Sequence, residues 1–242
     1  MMTEIVAIIP ARSGSKGIKD KNIMQLGGHP LISWSIIACK KANLIDRIIV
    51  STDSEKYSEL CIKYGAEVPF IRPEYISRDN STDYEFIEHA LDWFNQNESE
   101  PKIVIHIRPT TPMRDPVVIN EAIINFKNNS KATSLRSVHE MSESAYKTFE
   151  ISNNGYLKPI LNIEDTIDYS NKPRQLFPKT YQANGYVDVL SVSYIRNKKQ
   201  IHGDRVIPYL TPFTQEIDTK NDMQFLEYQL YETPSIVKEL FG

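Results

Sequence analysis

Ile5-Val-Ala-Ile-Ile-Pro-Ala-Arg-Ser-Gly-Ser-Lys-Gly17, continuing to Asn22, is the stretch on which the reading of the chain turns. Ile5 to Ile9 is an unbroken apolar run rich in β-branched side chains. A strand with water on one face alternates in polarity, so this run reads as a strand buried on both faces, as in the middle of a parallel sheet. Pro10 ends it. The loop beyond carries Gly14 and Gly17 and the cations Arg12, Lys16, Lys19 and Lys21, opposed only by Asp20. A glycine-bearing loop at the carboxyl end of a strand can turn several backbone N–H groups to one point, and the cations add charge there. That suits a polyanion such as a nucleoside triphosphate. The spacing matches neither the Walker A loop nor the three-glycine dinucleotide pattern. Alone, a basic Gly/Ser loop is commonly a solvated turn. Its place after a buried strand favours phosphate, because open α/β sheets bind ligands beyond their strands' carboxyl ends.

Working outward, strands and helices alternate. Pro30 opens a helix through Lys41, and Asp46 to Ser51 is a second strand ending at Thr52-Asp53. Ser54 caps a helix to Tyr64 that Gly65 ends. Glu67 to Ile71 reads as a third short strand, and a helix from about Asp83 to Asn95 carries Phe86, Ile87, Ala90, Leu91 and Phe94 on one stripe. Lys102 to Ile107 is a fourth strand, and Asp115-Pro116 starts a helix to Asn128. This alternation predicts βαβ units in a three-layer α/β fold with a mostly parallel sheet. Regularity breaks from Val138 to Pro178, an excursion too long for an idle loop. It returns with strands at Tyr186 to Val192 and Arg205 to Tyr209, then a helical region from Asn221 to Leu240 interrupted near Pro234.

Composition sets bounds. The 242 residues are 40% hydrophobic and 24% charged, which suits one globular domain with an appendage. A net charge of −3 argues against a nucleic-acid partner. No apolar stretch is long enough for a membrane span, and no signal peptide precedes the first strand. Cys39 and Cys61 read as buried, reduced thiols. The expected compartment is the cytoplasm.

Two further constellations carry chemistry. Arg108-Pro-Thr-Thr-Pro-Met-Arg114 is a loop stiffened by two prolines after the fourth strand. A stiff loop loses little entropy on binding, and Arg suits a carboxylate; the plainer reading is a turn with a surface ion pair. Glu216-x-Asp218 puts two carboxylates on one face of an extended segment. Such a pair is usually a solvated face, but beside a triphosphate loop it suits Mg²⁺, which takes one or two carboxylates plus phosphate oxygens. Asp222 reads as a helix-start residue, and Asn184-Gly185 as a turn or as an amide facing a substrate. The histidines show no metal spacing.

These motifs, taken together, resemble the CMP-sialic acid synthetases (acylneuraminate cytidylyltransferases). The loop Ala11 to Gly17 with Lys21-Asn22 is similar to the family's signature. So are Arg47 to Asp53, Arg72-Pro73 with Ser77 to Asp83, Arg108 to Arg114, Lys147-Thr148, Pro173 to Gln175, Asn184-Gly185 and Glu216 to Thr219. The resemblance implies a Rossmann-like nucleotidyltransferase that couples CTP to a nonulosonic acid and releases pyrophosphate. It implies nucleotide contacts from Ala11, Arg12, Ser13, Gly14, Ser15, Lys16, Gly17, Asn22, Arg72, Ser81 and Thr82. Arg12, Lys16, Lys21 and Asp218 would be catalytic, with Mg²⁺ on Asp218 and Glu216. Arg108, Thr110, Thr111, Lys147, Arg174, Gln182 and Asn184 would bind sugar. The core would comprise 1–137 and 179–242, with 138–178 a dimerisation arm that completes the neighbour's sugar site in a homodimer.

Three positions depart from the family pattern. Arg108 stands where Gln is usual, Gln182 where Arg is usual, and Glu216 where Asp is usual. If Arg108 and Gln182 both face the sugar, the exchange points to a relative of N-acetylneuraminic acid, such as a legionaminic-type diamino sugar. The alternatives are a nucleotidyltransferase for a sugar-1-phosphate or another keto acid, and a non-catalytic nucleotide-binding protein.

Overall fold

The computed structural model describes residues 4–14, 17–161 and 166–242. Strand β1 (Ile5–Pro10) is buried from Ile5 to Ile9 and pairs in parallel on both sides, with β2 (Arg47–Ser51) and β3 (Ile103–His106). Beyond β3 come β4 (Ser134–Glu140), β5 (Tyr181–Ser191) and β6 (Val206–Leu210). The sheet order is β2-β1-β3-β5-β4-β6. β5 runs antiparallel to β3 and β4, while β4 and β6 are parallel. The sheet is thus mostly parallel, as expected for the α/β class.

Helices α1 (Leu31–Lys41), α2 (Glu55–Lys63), α3 (Asp83–Asn97), α4 (Pro116–Lys127), α5 (Val192–Lys198), α6 (Lys220–Glu232) and α7 (Ser235–Phe241) complete the layers. Ile5, Ala7 and Ile9 join one core with residues of α1, α2, α4, α6 and α7, whereas Val6 and Ile8 join a second with α3 and α5. Period-two alternation along β1 thus feeds an apolar layer on each face, which is why its sequence shows no polar alternation. Helix starts follow the expected chemistry. Ser54 Oγ accepts the Tyr57 N–H at 3.4 Å, and Asp115 accepts the Val117 N–H at 2.8 Å beside Pro116.

Four elements differ from the sequence reading. Glu67–Ile71 makes two isolated parallel bridges to the β2 edge rather than a strand; Pro69 between them has no N–H for a ladder. β4 is absent from the sequence reading because Ser134, Ser137 and His139 occupy buried positions and leave no apolar stripe. β5 begins at Tyr181, so the sheet reaches beyond the expected edges of the irregular segment. α5 follows it directly. Between Glu140 and Tyr181, the described residues hold a two-stranded ribbon, Phe149–Ile151 with Leu157–Pro159, and short 3-10 turns.

The chain leaves β1 for β2 on one side and then places β3 on the other. The loops after β1 and β3 therefore diverge and open a crevice at the carboxyl ends of the strands.

Candidate active site

A cleft of about 580 Å³ occupies that crevice. Arg12, Gly17, Lys21 and Asn22 line it from the loop after β1. Arg72, Arg78, Asp79, Ser81, Thr82 and Asp83 line it from the segment entering α3, Arg108, Pro109 and Thr110 from the loop after β3, and Asp218 from the segment before α6.

The loop after β1 is held at several points. The Ser13 N–H donates to Asp53 Oδ1 at 2.7 Å, and its hydroxyl donates to Oδ2 at 3.0 Å. Asn22, buried, donates to the Arg12 carbonyl at 3.1 Å. Asp20 adopts a left-handed conformation and accepts the Tyr57 hydroxyl at 2.9 Å. Lys21 donates to the Ile217 carbonyl at 2.6 Å and to Asp218 Oδ1 at 3.1 Å. Gly17 lies against Asp218, where a Cβ would stand 2.7 Å from the carbonyl oxygen. The glycine is therefore required by close backbone approach rather than by φ. Ala11 is buried in the core and Gly14 is exposed. Ser15 and Lys16 lie outside the described residues.

Opposition to the loop's cations comes from elsewhere in the chain. Arg12 Nη1 meets Asp79 Oδ1 at 3.0 Å, while Asp20 is engaged by Tyr57. At the other end, Arg72 is 5% exposed, with its guanidinium 5.1 Å over the Phe86 ring and donating to Ser51 Oγ at 2.9 Å. Burial pulls its pKa down to about 10, which leaves it cationic at neutral pH. Ser81 Oγ accepts the Arg78 N–H at 3.0 Å, and Thr82 caps α3 in a capping box with Glu85. Both hydroxyls shape the loop that lines the cleft.

The expected sugar residues divide. Arg108 and Thr110 line the cleft, but Thr111 is buried and donates to the Asn184 carbonyl at 3.2 Å. Asn184 is inside β5, buried, and its amide donates to Thr211 Oγ1 at 2.6 Å, so it does not reach the cleft. Arg114 is buried against the carbonyls of Arg108, Gly185 and Tyr186 and acts as a strut for the loop. Arg174 and Gln182 line a separate groove of about 360 Å³ with His139 and Phe213. Lys147 packs 5.8 Å over the Phe177 ring, within the irregular segment 138–178. Arg108 and Gln182 thus line different cavities. Arg108 also differs from expectation in charge, because its fork already holds Asp188 at 3.0 Å and Asp83 at 2.7 Å.

The two carboxylates of the Glu216-x-Asp218 pair also separate. Asp218 lines the cleft, whereas Glu216 accepts the Thr110 hydroxyl at 2.8 Å and is absent from the lining. Among the described residues, no trio of His, Cys, Asp or Glu could hold a metal alone. A divalent cation fits here on Asp218 with phosphate oxygens completing its shell, the arrangement Mg²⁺ favours. Asp222 is the third helical residue of α6 and accepts N–H bonds from Asp218 and Thr219, as its helix-start reading requires. Asp79 and Asp83 lie within the expected stretch Ser77 to Asp83 but carry no assigned role in the sequence. Both sit in a polar stretch, and only their pairing across space with Arg12 and Arg108 distinguishes them.

Cys39 and Cys61 are buried and unpaired, and burial pushes both thiols up to about 12. No helix among the described residues is long and apolar enough to cross a membrane.

The chain is similar in sequence and fold to known proteins. An N-acylneuraminate cytidylyltransferase of Escherichia coli O18:K1:H7 is 30% identical over 230 residues, covering 93% of this chain and 51% of that protein. The chain therefore spans about half the length of that relative. A CMP-N,N'-diacetyllegionaminic acid synthase of Legionella pneumophila is 30% identical over 226 residues, covering 92% of this chain and 94% of the relative. The fold is shared with a solved CMP:2-keto-3-deoxy-manno-octonic acid synthetase complexed with CTP. The TM-score is 0.71 at 13% identity, covering 95% of this chain and 99% of the other. The sequence model of the family described as cytidylyltransferase matches residues 6–231, and the chain belongs to that family.

Proposed function

We propose that the chain couples CTP to a nonulosonic acid of the sialic or legionaminic type, giving the CMP-sugar and pyrophosphate with Mg²⁺ as cofactor. One observation carries this reading. A single cleft at the switch point joins the basic loop, the buried Arg72 and the Asp218 carboxylate. Two relatives that cover most of this chain are named for that chemistry.

The sugar's anomeric hydroxyl attacks the α-phosphorus in line. The new P–O bond forms as the bridge to the β-phosphate breaks, pyrophosphate leaves, and the hydroxyl proton passes to solvent. No covalent enzyme intermediate is needed, so the protein's work is positioning and charge stabilisation. Arg12 and Lys21, with Lys16 of the same loop, neutralise the triphosphate. Gly17 lets the loop backbone reach it, while Ser13 keeps the loop in shape through Asp53. Asn22 fixes the nucleotide, and Arg72, Ser81 and Thr82 sit at cytosine. Asp218 would hold a divalent cation, which would supply neutralisation of phosphate charge and acidification of the attacking hydroxyl. Lys21 and Asp218 pair at 3.1 Å, which keeps the phosphate-binding cation beside the metal-binding carboxylate. Thr110 donates to Glu216, so among the described residues Asp218 is the carboxylate of the pair that would hold the cation.

We further propose a homodimer built by the segment 138–178, working in the cytoplasm, where CTP is made. Ile151, Tyr156, Leu157, Ile160 and Leu176 are exposed on this segment, an apolar concentration that suits a protein contact. In that assembly Lys147 and Arg174 complete the neighbour's sugar site.

Pyrophosphate release with Mg²⁺ and CTP against a panel of nonulosonic acids tests the reading, with ATP, GTP and UTP as controls. Release with CTP and one acid is expected. Release only with a sugar-1-phosphate would overturn it.

A further inference from the structure

Asp188 lies in the middle of β5, 1% exposed, in cross-strand register with His106 of β3 and Arg136 of β4. Burying a carboxylate this deeply costs several kcal/mol unless it is paired. Its one close partner among the described residues is Arg108, whose Nη1 donates to Oδ2 at 3.0 Å. His106, Arg136 and His202 stand farther off, at 3.8 to 3.9 Å. Arg108 reaches from the cleft wall to this carboxylate past Gly185, where a Cβ would come within 3.2 Å of Arg108 Cδ. Its other terminal nitrogen donates to Asp83 at 2.7 Å, at the cleft surface. The side chain is thus clamped at both tips by aspartates from β5 and α3.

We propose that Asp188 is a positioning residue. Together with Asp83 it presents Arg108 to a neutral acceptor on the sugar, an acyl carbonyl or a hydroxyl, and not to its carboxylate. This rests on the nonulosonic-acid reading above. A carboxylate is gripped by the fork of two parallel N–H groups, and here both tips of the fork are committed. Burial lowers the pKa of both His106 and His202, so Arg108 is the close cation at Asp188, with Arg136 at 3.9 Å. With a carboxylate on each of its two terminal nitrogens, Arg108 offers little unopposed charge of its own, yet the guanidinium keeps N–H groups that neither aspartate takes. Those donors, held rigidly, discriminate by hydrogen bonding.

The test measures KM for CTP and for nonulosonic acids that share the carboxylate and differ in N-acyl and hydroxyl groups. Asp188→Asn is expected to raise KM for the sugar acid by about tenfold and to leave KM for CTP within about twofold. Arg108→Gln combined with Asp188→Asn removes both buried charges together and so guards against misfolding. It is expected to change the rank order of the panel while still turning acids over. Equal loss for every acid with the order kept would assign Arg108 to the carboxylate and overturn the proposal, as would a KM change confined to CTP. A wild-type enzyme that releases no pyrophosphate with any acid would remove the functional reading itself, and this inference with it.

Discussion

Gly17 and His106 show how a single residue acquires its role from what it packs against. At Gly17 the neighbour is the Asp218 carbonyl, and a methyl group would have to displace it. Overpacking of this kind costs about 1 to 3 kcal/mol. Gly17→Ala is therefore expected to lower kcat/KM by about tenfold to a hundredfold, with the melting temperature changed by only a few degrees. Steady-state kinetics and a thermal melt check it. His106 is buried between β1 and β5, and burial holds its imidazole at about 4 against an ordinary 6.5. Between those values the unfolded chain binds a proton that the folded chain refuses. Stability is therefore intact above that window and falls as the pH drops through it, by up to about 3 kcal/mol. His89 and His202 are lowered in the same direction by burial. His106→Asn should flatten part of this decline in denaturant titrations between pH 7 and pH 4.5. An unchanged slope would mean that His106 takes no part in it.

At the scale of elements, the start of α6 links stability to the site. Asp222 accepts the Asp218 N–H at 3.0 Å and the Thr219 N–H at 2.7 Å, and these bonds hold its carboxyl below the usual range. Asp222→Ala should cost about 1 kcal/mol, the worth of a capping interaction. It should also weaken activity, because the Asp218 backbone loses its anchor; denaturation and pyrophosphate release together check both. Legibility also varies by element. β1, β2, β3 and the helices with apolar stripes are readable because their signal is local. β4 is not, because its buried Ser134, Ser137 and His139 are polar and find their partners only in distant parts of the chain, Ser134 at His202 and His139 against Phe213. The Ser137 hydroxyl, for example, accepts the Val187 N–H at 3.0 Å. The Glu67–Ile71 segment misleads in the opposite way, since apolar residues flank a proline that cannot join a ladder.

For the whole molecule, the proposed dimer makes the clearest prediction. Leu157 is 54% exposed in the ribbon of the arm. A charge placed there should oppose burial against a second copy. Leu157→Glu is expected to shift sedimentation from dimer to monomer and to lower turnover with it; a monomeric wild type would refute the arrangement. The sequence alone determined the α/β class, the basic loop after a buried strand, the stiff loop at Arg108 and the carboxylate at Asp218. Each of these rests on residue type and short spacing. Tertiary structure decided which of them meet. It set Arg12 against Asp79 and Lys21 against Asp218, turned Glu216 to Thr110, buried Asn184, and parted Arg108 from Gln182. These outcomes follow from which strands pair and in what register, which brings together residues far apart in the chain, and no local pattern encodes that.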